Sequence, residues 1–446
     1  MPFQTLFRQK SLIIFLSLFS VSTRQLKADE SHSTHFQLKQ ITDLEVKSFG
    51  ISPELKIVRN FRSQKEAEVF SRTSDFLPHA FLNFKRTKDF YEERNDRLKA
   101  FGIQTYDSSW GIDYNWNVFN YGLLQAARKS YAEKEKSHLD VSNQEKAYPI
   151  NFKTYLLKYL LAKYKKVAVE NSLKKAESQK KEASLGFALG QKTKIDVLRS
   201  EANMVSLDSK KTVYFDEEQN AKSKFLEYSG LDIRDTHFLD SIDENQTIGL
   251  INALSFSDFK KAEPDFTKSP LMHSLQYDEK INSLALSSLT QREWPDLKIQ
   301  GSYNNSADSF NESFHKPYRT HSIALVLTIP ILNGGSLLSS NFEEFFAKKQ
   351  NEYIINQKKL ETKNQLNSTL IKISALETLM SSLSLNVSQF EELYRLTLKS
   401  YQLGRSTLFE LLEVQDNLLL SKISLAENKI QFYTLSQNYL WQAGLL

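Results

Sequence analysis

Apolar and polar residues alternate strictly from Trp110 to Val118. Trp110, Ile112, Tyr114, Trp116 and Val118 fall on one face, and Gly111, Asp113, Asn115 and Asn117 on the other. Period-two alternation over nine residues predicts a β-strand, of a length that fits a tilted crossing of a bilayer. Three companions follow the same rule. Ala80, Leu82 and Phe84 alternate with His79, Phe81 and Asn83; Leu297, Ile299 and Tyr303 alternate with Lys298, Gln300 and Ser302; and Ile323, Leu325, Leu327 and Ile329 share one face of Ser322–Ile329. They predict two hairpins, about 77–119 and 296–330, whose connections at 85–109 and 304–320 are polar and charged.

Elsewhere the period changes. Ile373, Leu376, Met380, Leu383, Val387, Phe390, Tyr394, Leu398 and Tyr401 step by threes and fours, and Leu411, Val414, Leu418, Leu425, Phe432, Leu435 and Tyr439 continue that spacing beyond a turn at Gly404. Such steps define a coiled-coil seam, and the glycine between two seams predicts an antiparallel helical hairpin. Its ascending arm, about 68 residues, makes roughly 100 Å of helix, and its return arm, about 40 residues, roughly 60 Å. An upstream helix, Leu38–Phe76 before the first hairpin and Pro270–Glu293 before the second, would make up the difference if stacked on the return arm. Pro149 is expected to kink the first ascending arm.

The landmarks recur. Ser52-Pro53 returns as Ser269-Pro270, each followed 25 residues later by another proline, Pro78 and Pro295. Phe187-x-Leu189-Gly190-x-x-Thr193 returns as Tyr401-x-Leu403-Gly404-x-x-Thr407, and Gly190 and Gly404 each lie 40 residues before a Gly-Leu pair, Gly230-Leu231 and Gly444-Leu445. This spacing predicts one long unit present twice, at 29–231 and 269–446, joined at 232–268 by a linker with short elements, an equatorial segment.

Composition narrows the reading. Thirteen glycines and nine prolines in 446 residues cluster at the landmarks and leave long stretches unbroken, which favours long helices: a mainly α chain with a small β part. Residues 1–28 read as a secretory signal, with Arg8 and Lys10 before the apolar run Ser11–Val21 and a cleavage after Ala28. That segment carries Arg8, Lys10, Arg24 and Lys27 and no acid, so its removal takes the formal charge from +5 to +1 and leaves little case for nucleic acid. With no cysteine there are no disulfides, thiolate metal sites or cysteine-linked lipid.

Four strands cannot close a barrel, and lipid leaves sheet edges unsatisfied. A membrane reading therefore requires several copies. Two would give eight strands with a filled interior; three would give twelve and room for a pore, and three is the expectation. By itself the alternation also fits a half-buried sheet on a soluble core. Trp110, Tyr114 and Trp116 opposite a wholly polar face favour the membrane.

At this point the chain resembles a known family, the TolC-like outer-membrane efflux and secretion channels. The resemblance rests on the Ser-Pro starts, on Leu327-Thr-Ile-Pro-Ile-Leu-Asn-Gly-Gly335, and on the tips Gly190-x-x-Thr193-x-x-Asp196-Val-Leu198 and Tyr401-x-x-Gly404-x-x-Thr407-x-x-Glu410-Leu-Leu412. It implies a homotrimer with a twelve-strand outer-membrane β-barrel continued by a periplasmic α-helical barrel. It further implies a passive duct that works with a periplasmic adaptor (membrane fusion) protein and an inner-membrane pump or ABC transporter, with outer-membrane lipid around the strands. At the periplasmic entrance it implies gating by Tyr401 and Asp196 and an acidic ring from Glu410 and Glu413. The family's arginine position holds Ser406, with Arg405 one residue earlier. Adaptor docking would fall on Gly190, Gln191, Lys192, Gly404, Arg405 and Ser406. The bland reading of Glu410 and Glu413 is that first-turn acids complement the helix dipole.

No catalytic constellation is present: no Gly-x-Ser-x-Gly, no phosphate loop, no His-Glu-x-x-His. The expectation is a protein that is not an enzyme, without cofactor or metal, although His32 and His35 lie close together near the mature N-terminus. The competing class is a secreted or periplasmic coiled-coil scaffold, or adaptor-like protein, without a pore; such a scaffold has no need of a strand face rich in Trp and Tyr.

Overall fold

The computed structural model describes residues 30–87, 100, 108–255, 264–265, 268–315, 318–331 and 334–445, with side chains from residue 37 onward except Arg292 and Leu337. The export segment 1–28, the side chains of His32 and His35, most of the 85–109 connection and part of 232–268 lie outside the described residues. In chain order the elements are α1 (Glu30–Ile51), α2 (Pro53–Ser74), β1 (His79–Arg86), β2 (Ser108–Phe119), α3 (Tyr121–Ala188), α4 (Lys194–Ser229), α5 (Glu244–Leu254), α6 (Pro270–Ser287), β3 (Asp296–Ala307), β4 (Tyr318–Thr328), α7 (Ser336–Gln402) and α8 (Leu408–Gln442). Single helical turns stand at 233–240, 288–293 and 312–315.

The expected Leu38–Phe76 helix is two helices. Pro53 lacks an N–H and biases the residue before it away from helical geometry, so α1 stops at Ile51 and α2 restarts at Pro53. Pro149 behaves otherwise: α3 stays helical through it for 68 residues, bracketed by the buried Tyr148 and Ile150. Burial on both sides holds the helix where local preference alone would weaken it.

The chain divides into two compact units, each drawing on both halves of the sequence. The first comprises residues up to 56, 146–262 and 369–439. Its core gathers Phe152, Leu156, Leu160, Phe225 and Leu239, all 0% exposed, with Ile41 and Leu55. Residues 233–255, expected as linker, are part of this core: Leu239, Ile242, Leu250, Ile251 and Leu254 are buried in it. The segment was too short to show a period, yet Asp243 caps α5 through a reciprocal pair with Gln246 and starts it cleanly. The α7 and α8 seams are buried or half-buried as their spacing predicts. In addition α8 carries a second stripe, Leu419, Ile423, Ala426, Ile430 and Tyr433, that joins the same core.

The second unit comprises residues 57–145, 263–368 and 440–446. It holds one four-stranded antiparallel sheet in the order β1-β2-β3-β4, so the two expected hairpins are themselves paired through β2 and β3. Ion pairs tie its helices, among them Arg59–Glu145 at 2.7 Å, Lys65–Glu133 at 2.7 Å and Lys136–Asp278 at 2.6 Å.

The paired landmarks make the same contact within each unit. Ser52 Oγ donates to the Tyr228 carbonyl at 3.0 Å, two residues before Gly230, and Ser269 Oγ donates to the Gln442 carbonyl at 2.7 Å, two residues before Gly444. Each serine thus satisfies a carbonyl at the end of a return helix, among the last four that the helix leaves unpaired. A Cβ on Gly444 would lie 2.7 Å from the Lys268 backbone, so the close approach requires glycine there.

Candidate functional site

Two regions carry the residues that sequence singled out. The first is the sheet. Register pairs Trp110 with Phe84 and Asn305, Ile112 with Leu82 and Tyr303, Tyr114 with Ala80 and Gly301, and Trp116 with Ile299. Ile299, Gly301 and Tyr303 in turn pair with Leu325, Ile323 and His321. Directly paired residues share a face, so the apolar positions of four separate segments align into one continuous surface. That surface is open: Leu82, Phe84, Ile323, Leu325 and Leu327 are each more than half exposed. The opposite face carries Asp113, Asn115, Asn117, Lys298, Gln300, Ser302 and Asn304, with Asn83 donating to Asp113 and the Ser302 and Ser322 hydroxyls 3.2 Å apart.

Val118 lies at an irregularity of the ladder. A bulge between Asn117 and Phe119 leaves Val118 unpaired and sets Phe119 opposite Leu297. From Trp110 to Phe119 the apolar face runs about 30 Å along the strand, or about 23 Å at a tilt near 40°, close to the roughly 25 Å apolar band of an outer-membrane barrel. Aromatic groups mark both limits. At one end Trp110 packs at 6.3 Å on Tyr303. At the other Trp116 donates its indole N–H to the Phe76 carbonyl at 2.8 Å, and Tyr121 stacks on Trp294 at 4.5 Å. The sequence reading missed Tyr121 and Trp294 because each stands at an element boundary, outside any periodic run.

The second region is the pair of helical tips. Both are built the same way. α3 ends at Gly190 (φ 75°) and α7 at Gly404 (φ 72°), left-handed positions that close the turn. Gln191 N–H donates to the Gly186 carbonyl at 2.7 Å and Arg405 N–H to Ser400 at 2.9 Å. A threonine then opens the return helix. Thr193 N–H donates to Asp196 Oδ2 at 3.0 Å while Asp196 N–H donates to Thr193 Oγ1 at 3.2 Å; Thr407 and Glu410 repeat the exchange at 3.2 and 3.3 Å. Asp196 and Glu410 thus each complete a capping exchange at the start of a return helix. The hydrogen bonds from Thr193 hold the Asp196 carboxyl below its ordinary range.

Between the tips lies a contact that spacing did not reveal. Lys192, expected at a docking surface, reaches Tyr401: its ammonium donates to the phenol oxygen at 3.2 Å and sits 4.3 Å from the ring centroid. Arg199 lies 5.0 Å over Phe409, and Lys175 5.7 Å over Tyr394. Three cations of α3, α4 and their turn therefore rest on three aromatics of α7 and α8, each contact worth roughly 1 kcal/mol. Tyr401 is buried and packs with Leu408 and Leu411. Gln191, Arg405 and Glu413 are exposed, and Ser406 half-exposed. The Lys192–Tyr401 pair joins residues 209 apart in sequence, beyond any local pattern.

No described helix is long and apolar enough to cross a membrane, and the described residues hold no cluster of metal-binding side chains.

Residues 289–439, which take in β3, β4, α7 and most of α8, match the family model described as outer membrane efflux protein. The alkaline protease secretion protein AprF of Pseudomonas aeruginosa is 22% identical over 152 residues, 34% of this chain and 32% of that protein, so the match spans about a third of that relative's length. Among solved structures, the CmeC outer membrane channel of Campylobacter jejuni superposes with a TM-score of 0.70 at 12% identity, over 91% of this chain and 86% of that one. The outer membrane protein VceC of Vibrio cholerae superposes with a TM-score of 0.65 at 11% identity, over 91% and 96%. At such identities the superpositions establish the fold. Together with the family match they bear out the resemblance to outer-membrane channels read from the motifs.

Proposed function

We propose that this chain is one subunit of a passive outer-membrane duct, the exit channel of a tripartite efflux pump or a type I secretion system. One observation carries the reading: a four-stranded sheet presents a continuous apolar face to its surroundings and leaves β1 and β4 with one unpaired edge each. Water penalises the exposed face and lipid penalises the open edges. Joining β4 of one copy to β1 of the next relieves both. Three copies make a twelve-strand barrel with the polar face of Asp113, Asn115, Gln300 and Asn304 lining its lumen. We read residues 29–231 and 269–446 as two copies of one unit, whose long helices continue the barrel into the periplasm.

At the entrance, the Lys192–Tyr401 contact holds the first tip against the second and serves as the latch, in place of the arginine that the family's pattern would put at Ser406. The exposed Arg405, Gln191 and Ser406, beside Gly190 and Gly404, present the surface for a periplasmic adaptor, which couples the duct to an inner-membrane pump or ABC transporter. Glu413, with Glu410, supplies negative charge around the axis and attracts cations. The duct has no chemistry of its own and passes the small molecules or proteins its partners deliver.

The reading is tested by fractionation and planar-bilayer recording. Sarkosyl-insoluble, heat-modifiable protein that crosslinks as a trimer and forms cation-preferring pores is the expected result. A monomer released by osmotic shock overturns it. Lys192→Met should raise open-channel conductance several-fold, and Glu410→Gln with Glu413→Gln should lower cation preference; unchanged selectivity would remove both glutamates from the entrance.

A further inference from the structure

The β3–β4 connection folds back onto the apolar face of the sheet instead of projecting from its end. Trp110 Nε1 donates to the Ser313 carbonyl at 3.1 Å. The Phe314 ring stacks on Trp110 with centroids 5.5 Å apart and planes within 14°. Phe310 lies 5.2 Å from Phe314 and 6.2 Å from Phe84. The turn is fixed from within as well: Ser313 N–H donates to the Ser309 carbonyl at 3.1 Å, and Ser313 Oγ to the Phe310 carbonyl at 2.7 Å.

What this turn buries is polar and what it shows is apolar. Ser313, Asn305 and Ser108 are at most 2% exposed, while Phe310 and Phe314 remain 43% and 49% exposed. In water the reverse arrangement is favoured. The two rings extend the surface of Phe84, Leu82 and Ile112 without a break, so whatever covers that face covers them. Charge identifies the level. Arg319 pairs with Asn305 in the same row as Trp110, and Arg86 pairs with Ser108 in the next row out; both arginines are exposed. Rings and cations at one height fit the boundary between acyl chains and anionic phosphate headgroups.

We propose that the Ser309–His315 turn is a lipid anchor, with Phe310 and Phe314 among the upper acyl chains of the outer leaflet and Arg86 and Arg319 facing its phosphates. The inference rests on the channel reading. Because the chain has no cysteine, single thiols can report on it. Phe310→Cys, Phe314→Cys and Asn311→Cys, the last keeping both rings, are each labelled with an environment-sensitive fluorophore. The full-length protein is then reconstituted in vesicles of phosphatidylethanolamine and phosphatidylglycerol. Blue-shifted emission, quenched severalfold more by a nitroxide near the lipid headgroup than by aqueous iodide, is expected at all three positions. Leu325→Cys, on the sheet face, and Leu189→Cys, at a helical tip, are the controls. Quenching by iodide at 310, 311 and 314, with lipid quenching kept at 325, overturns the anchor alone. Protection from both quenchers at the turn shows protein covering it, and overturns the anchor too. Loss of lipid quenching at 325 overturns the channel reading itself.

Discussion

In the helical unit, Phe152, Leu156, Leu160 and Phe225 have no exposed surface, whereas in the sheet Leu82, Ile323 and Leu325 are 57%, 66% and 67% exposed. The residue types are the same and the treatment is opposite. The helical unit hides its apolar stripe and pairs charges around it, as in Lys165 with both Glu217 and Glu427 at 2.8 Å. The sheet sets most of its amides, with Asp113 and Lys298, on one face and leaves Leu82, Ile112, Ile323 and Leu325 open on the other. The difference lies in which side of each element the polar groups take. Water drives burial in the first region. In the second, hydrogen-bonded ladders join the four strands while their apolar face stays open.

The contrast can be broken from either side. Phe225→Ala should cost about 3–5 kcal/mol, because it empties a site beside Phe152 (5.3 Å between rings) that the long helices cannot collapse into. The loss should appear in chemical denaturation whether or not lipid is present. Leu325→Arg should cost about 2–4 kcal/mol only for protein folded in vesicles, with Ser302→Arg on the other face nearly neutral; equal effects of the two would mean that the faces see the same medium. Thr193→Ala and Thr407→Ala should each cost about 1 kcal/mol by removing one half of a capping exchange, and similar losses at the two tips would show that the turns are energetically equivalent.

The smallest effect sharpens the rule inside the helical unit. Burial pushes the Glu45 carboxyl upward, against the opposing pull of Lys153 at 4.0 Å, with Tyr433 close by. A carboxyl raised on folding contributes most below its unfolded value near 4.5 and loses that contribution as pH rises through its folded value. Glu45→Gln should accordingly raise the melting temperature modestly at neutral pH and leave it unchanged in acid. A loss of stability at neutral pH would show that the attraction of Lys153 outweighs the burial cost.

Much of the architecture was legible along the chain. The alternation at Trp110–Val118 and its companions located all four strands, because a residue's face in a strand depends only on its parity. The Gly-x-x-Thr tips were legible for a similar reason: their hydrogen bonds close within six residues, so Thr193 with Asp196 and Thr407 with Glu410 are local facts. Where local preference met packing, it gave way. At Pro149 α3 stays helical between buried neighbours, and the short elements of 233–255 are buried in the core. The bulge at Val118 was likewise invisible, since it expresses the fit of β2 to β3, not a property of β2.

The sequence by itself determined the element types, the two-fold recurrence of landmarks and the amphipathic sense of the sheet, all set by steric and hydrogen-bonding rules that act over a few residues. Only the tertiary structure decided which distant groups meet. Lys192 reaches Tyr401 across 209 positions, Ser269 caps a carbonyl 173 residues away, and Trp110 receives Phe314 from another hairpin. Those pairings arise when separate elements are packed at fixed register, and no period along a single chain encodes the register between chain segments that far apart.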